Sequence, residues 1–131
     1  MKEIAVYLLE NYYAKYAGVQ NIPSEDLLIR ALNLHQDKMV VVHNNGVIEG
    51  VAIFLTLSDA TYMDIDNQDI TSVEMLSKLL QETGDNLHFI LLTARGSKVI
   101  REGIKMVKGL HPKTVSWWNP TMTQLHKYSM N

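Results

Sequence analysis

The 131-residue chain contains no cysteine, which excludes disulfides, thiolate catalysis, iron–sulfur clusters and cysteine-held zinc. Its histidines (His35, His43, His88, His111 and His126) are scattered, without the His-x-His or His-x-x-x-His spacing that turns two ligands onto one metal. No metal is therefore expected. An excess of positive charge is also missing. Twelve Lys+Arg face fourteen Asp+Glu, a formal net charge of −2, which argues against a protein held on nucleic acid through its phosphates. No apolar run approaches a membrane span, and Met1-Lys2-Glu3-Ile4 lacks the basic-then-apolar order of a secretion signal. The expected compartment is the cytoplasm. No repeat, low-complexity stretch or linker divides the chain, so a single domain over 1–131 is expected.

What is present is the balance of a globular protein, 47% hydrophobic and 20% charged. Ile4, Tyr7, Leu8 and Tyr12 recur at helical spacing between Glu3 and Tyr16, with Gly18 following as a stop. Ser24-Glu25-Asp26 reads as a capped helix start, with Leu27, Leu28, Ala31, Leu32 and His35 on one face and an end near Asp37. The pattern changes at Met39. The run Met39–His43, the turn Asn44-Asn45-Gly46 and the longer run Val47–Leu57 predict a β-hairpin, and Gly50 predicts a bulge or close backbone approach. Ala60–Asp66 alternates as a strand with one wet face. A helix is predicted over Thr71–Thr83, ended by Gly84, and a central strand over Leu87–Thr93. Ser97 then starts a helix ending at Gly109, Lys113–Trp118 is a last strand, and the tail from Pro120 is short helix or irregular chain.

The order α-α-β-β-β-α-β-α-β predicts an α/β (α+β) protein. Its mixed central sheet has about six strands, an antiparallel N-terminal meander and helices on both faces. That order, with the hairpin Val42–Val51 just after two helices, resembles the GNAT fold of acyl-CoA N-acyltransferases. In the resemblance, Ala60–Asp66 stands for the fourth strand, Thr71–Thr83 for the cofactor-facing helix and Leu87–Thr93 for the fifth strand. The fourth and fifth strands are expected to splay into a cleft for the pantetheine arm. The family's pyrophosphate loop falls on Asp66–Ser72, which has no glycine and two acids. Asn86–Gly96 and Pro112–Pro120 are similar to small GNAT-like proteins of tailed phages and prophages, which implies a phage origin.

The resemblance implies acyl-CoA or acetyl-CoA as cofactor and an amine as acceptor. Asp64 and Asp66, two apart on one strand, serve either as general base or as part of a solvated face. Tyr128 in the tail is a substitute proton donor, since 100–107 contains no tyrosine. The cofactor contacts are Ile65 at the strand end, Thr71, Ser72 and Val73 at the helix start, and Arg95-Gly96-Ser97 after the Leu87–Thr93 strand. A cation, a flexible turn and a helix start at the carboxyl end of a strand suit an anion, although Ser97 is equally an N-cap. Trp117 and Trp118 point to opposite faces, so one is free for a pocket or for an oligomer or partner contact. Two functions stay open: an acyl-CoA N-acyltransferase of phage or prophage type, or a non-catalytic phage accessory or virion-associated binding protein with the same fold.

Overall fold

Ser24 stands in extended backbone and its Oγ accepts the Leu27 amide at 3.3 Å, so α2 (Glu25–Leu34) starts where the cap predicts. The computed structural model describes residues 1–15, 18, 22–65, 78–94, 97–118 and 124–130. Ahead of α2, α1 (Lys2–Leu8) runs into a π-helical turn over Leu9–Tyr13. Leu28, Leu32 and His35 are buried as predicted, but Leu27 and Ala31 lie on the exposed side. A 3₁₀ turn over Gln36–Lys38 leads to β1 (Met39–Asn44).

The hairpin forms at the predicted turn. Asn45 and Gly46 both take positive φ, 53° and 78°, which gives the turn the twist that two antiparallel strands need. β2 (Val47–Leu57) returns along β1, with Val42 opposite Gly50 and His43 opposite Ile48. Glu49 is therefore the extra residue, a bulge beside the glycine that predicted one.

After β2 the structure departs from the pattern. Residues 60–65, the described part of the strand predicted over Ala60–Asp66, are not a strand: α3 covers Asp59–Met63 and Asp64 is its C-cap. The cause is capping. Ser58 Oγ accepts the Thr61 amide, and the Glu82 carboxylate takes the Ser58 amide at 2.7 Å and the Thr61 hydroxyl at 2.9 Å. The alternation of Tyr62, Met63 and Asp64 is overridden by these bonds at the first turn. Of the helix predicted over Thr71–Thr83, residues 78–80 are helical and the rest up to 77 lies outside the described residues.

β3 (Asn86–Ala94) pairs antiparallel with β2 from Leu57–Asn86 to Gly50–Ala94. It thus completes the meander in the place expected for Ala60–Asp66. α4 (Ser97–Gly109) crosses over to β4 (Thr114–Trp118), which lies parallel to β3. The tail is a fifth strand, β5 (Leu125–Ser129), antiparallel to β4. Among the described residues the sheet has five strands in the order β1-β2-β3-β4-β5.

Alternate residues of β2 settle the two faces. Val51 and Ile53 pack with Leu8, Leu28 and Leu32 under α1 and α2. Ala52 and Phe54 pack with Phe89, Val115 and, from α4, Val107 on the opposite side. Helices therefore cover both faces, as the element order predicts.

Candidate functional site

In β3, Leu91 stands opposite Ile53 but Phe89 stands opposite Phe54, so Ile90 is an extra residue. Such a bulge bends its strand and increases the local twist. The parallel ladder to β4 begins at Asn86–Thr114 and ends at Phe89–Trp117, immediately before the bulge. From there β3 runs on to Ala94 paired with β2 on one side, while its β4 side is open among the described residues.

Beside this divergence, on the α4 face, lies a cavity of about 670 Å³. Val40, Ala52 and Leu92 form one cross-strand row of its floor. Phe89 and Trp117, paired across β3 and β4, form the next. Ile104 and Val107 of α4 form a wall, and Tyr128 and Met130 close the β5 end. Thr93, Tyr128 and Ser129 supply the hydroxyls of an otherwise apolar described lining. Leu92, Ile104 and Tyr128 are 46%, 49% and 54% exposed. That concentrates open apolar surface at one place, the mark of a ligand or partner site.

An aromatic stack stiffens the β4–β5 side. The Trp117 ring lies 5.2 Å from both the His126 and Tyr128 rings, tilted by 20° and 16° respectively. Lys127 alternates with these two and so points to the other face, where its Nζ lies 5.6 Å above the Tyr62 ring.

The predicted site residues divide. Tyr128 is at the cavity, on an ordered strand. Asp64 is exposed at the end of α3, and Ile65, the next residue, is buried with Leu55, Leu57 and Leu79 in a cluster separate from the one behind the cavity. Asp64 and Tyr128 are not brought together. Asp64 does not lie on the expected strand, because residues 60–65 form none. Asp66, Thr71, Ser72, Val73, Arg95 and Gly96 lie outside the described residues, and Ser97 is the first residue of α4. The expected cleft between Ala60–Asp66 and Leu87–Thr93 is replaced by the opening between β3 and β4. The floor residues Val40, Ala52 and Leu92 are not foreseen from sequence. Their apolar alternation is visible there, but their meeting depends on register across three strands.

A meander of three antiparallel strands, one helical crossover to a parallel strand that diverges beyond a bulge, and helices on both faces together make a GNAT-like fold. The GphF GNAT-like decarboxylase, solved in complex with isobutyryl-CoA, matches with a TM-score of 0.57 at 15% identity. The match covers 88% of this chain and 60% of that one. The loading GNATL domain of CurA from Lyngbya majuscula matches with a TM-score of 0.53 at 8% identity, over 87% of this chain and 61% of that one. The chain thus spans about three fifths of the length of these neighbours. No protein-family model matches the sequence, nor does any curated protein. No helix of the described residues is long and apolar enough to cross a membrane, and no group of three or more metal-ligating side chains occurs among them.

Proposed function

We propose that the chain binds an acyl-CoA thioester at the opening between β3 and β4 and transfers the acyl group to an amine. The observation that carries this reading is the ladder that stops at Phe89–Trp117 beside an apolar cavity. The side of β3 that is open among the described residues offers backbone donors and acceptors to the amides of a pantetheine arm, as a sheet edge does to a peptide. The apolar lining suits the acyl group. α4 begins at Ser97, directly after the strand that diverges, and its first amides suit the pyrophosphate. In this reading the phosphate loop is the stretch before Ser97, with Arg95 and Gly96, rather than Asp66–Ser72. That stretch is free of the two acids of Asp66–Ser72, which would repel a pyrophosphate.

The reaction needs no covalent enzyme intermediate. The amine nitrogen bonds the thioester carbon, the C–S bond breaks, and Tyr128 gives the departing sulfur its proton. The amine's proton leaves to water, and water returns one to the Tyr128 phenolate, so the tyrosine is restored. Neither carboxylate nor imidazole stands in the described lining, so rate comes from holding the two reactants together and from Tyr128. That same shortage favours a second reading, in which the fold binds an acyl-CoA without turnover. The resemblance supplies the setting of either: a tailed-phage or prophage protein in the host cytoplasm or the virion, self-associating or holding a host or phage protein.

Calorimetric titration with an acyl-CoA tests the binding. Saturable binding, weakened at least tenfold by Arg95→Ala, is the expected result, and no heat at millimolar ligand overturns the reading. With binding in hand, release of free thiol in the presence of amines separates the two versions. Transfer predicts a roughly hundredfold loss of turnover in Tyr128→Phe with binding retained.

A further inference from the structure

We infer that the acyl group this site takes is an apolar chain of medium length, well beyond acetyl. The inference rests on the acyl-CoA reading above and deepens it. The carrying observation is the mismatch between cavity and small acyl groups. At about 670 Å³ the cavity equals roughly twenty water volumes, taking about 30 Å³ for each. An acetyl group has three heavy atoms and leaves nearly all of that space as water against valine, leucine, isoleucine and tryptophan, which is unfavourable.

The composition of the walls sets the class of chain. Among the described lining residues there is no lysine, arginine or histidine. A carboxylated acyl group would therefore bury an anion without a partner, which costs far more than its contacts return. A hydrocarbon chain meets no such penalty. Its path follows the cross-strand row Val40–Ala52–Leu92, whose middle member is the smallest. Ala52 is buried between two larger neighbours and leaves a trough across the sheet. Leu92 and Ile104 are about half exposed although apolar, and a chain in the trough takes both out of water.

The test is a titration series of CoA, acetyl-CoA, butyryl-CoA, octanoyl-CoA and decanoyl-CoA, with succinyl-CoA as the charged control. The expected result is tightening by up to about fourfold per buried methylene, with succinyl-CoA no tighter than CoA. Ala52→Phe fills the trough and removes the gain beyond butyryl. Ile104→Glu, at a half-exposed wall position that tolerates polarity, cuts the same gain and serves if the buried substitution fails to fold. Equal affinity across the series overturns the inference and leaves the acyl-CoA reading standing. If no CoA species binds, decanoate followed by tryptophan fluorescence decides. Saturable quenching relieved by Ala52→Phe keeps the apolar-chain site and removes CoA, whereas no quenching overturns both.

Discussion

His88 is fully buried in the middle of the sheet, and its Nδ1 lies 2.8 Å from Ser116 Oγ. The Ser116 hydroxyl also reaches the Leu87 carbonyl at 3.5 Å. It donates there and accepts from Nδ1–H, which leaves Nε2 as a bare lone pair without a partner among the described residues. Burial, with Lys127 adding to it, pushes the ring's pKa down to about 4. The neutral ring is thus required by the fold. In the unfolded chain it takes a proton below about pH 6.5, so stability present above that pH is lost as the pH falls toward 4. The loss attributable to His88 is about 3 kcal/mol at the acid end. His35, also buried and lowered by burial and then by Lys38, adds to the same window. Urea unfolding at pH 7 and pH 4.5 checks this: His88→Leu is expected to lose clearly less stability between the two than the parent chain. Equal losses would show that the ring is not the titrating group.

Among the elements, α3 shows how remote groups choose local structure. Its five residues are held by Ser58 and by Glu82, which comes from beyond residue 80. Burial pushes the Glu82 carboxyl up, but hydrogen bonds from Ser58 and Thr61 and the charge of Lys38 outweigh it, and the net shift is downward. Lys38 Nζ in turn donates to the Leu80 and Glu82 carbonyls at 3.0 and 3.1 Å. Asn86 closes the same corner, donating to the Leu57 carbonyl and to Asp59 and accepting from the Thr114 hydroxyl. Space here is short, for a Cβ on Gly84 would overlap the Leu57 carbonyl, a backbone atom that cannot step aside. Gly84→Ala is expected to cost about 1–3 kcal/mol or more, read by chemical denaturation, and wild-type stability would show that the 80–86 segment packs differently. The glycine is visible in the sequence as a helix stop. Its close approach to β2 is not, because that partner lies more than twenty residues away.

At the scale of the molecule, β3 is paired with β2 from Asn86 to Ala94, while among the described residues its other side is paired only over Asn86–Phe89. Hydrogen exchange reports this directly. Amides of Asn86–Phe89 are expected to exchange slowly, because both neighbours flank them. In 90–94, the amides facing the opening should exchange faster, and acyl-CoA should slow them. Uniform protection along β3 would mean that no opening exists.

Much of the fold is legible in local chemistry: the Ser24 cap, the Asn45-Gly46 hairpin, the apolar Leu87–Thr93 strand and the α4 span each follow from residues within a few positions of one another. The GNAT-like fold class follows from their order. Of the candidate site, Tyr128 is legible as a proton donor in the tail and one of Trp117 and Trp118 as an aromatic for a pocket or partner, but not which tryptophan or what surrounds it. Strand β5 eludes the pattern because Leu-His-Lys-Tyr-Ser carries little β signal and is ordered by pairing with β4. The bulge at Ile90 and the meeting of Val40 with Ala52 and Leu92 were left to register. A one-residue slip turns every side chain of a strand to the other face, so no stretch of sequence states alone which residues share a wall. Chain-local bonds write the elements, and pairing between distant strands builds the site.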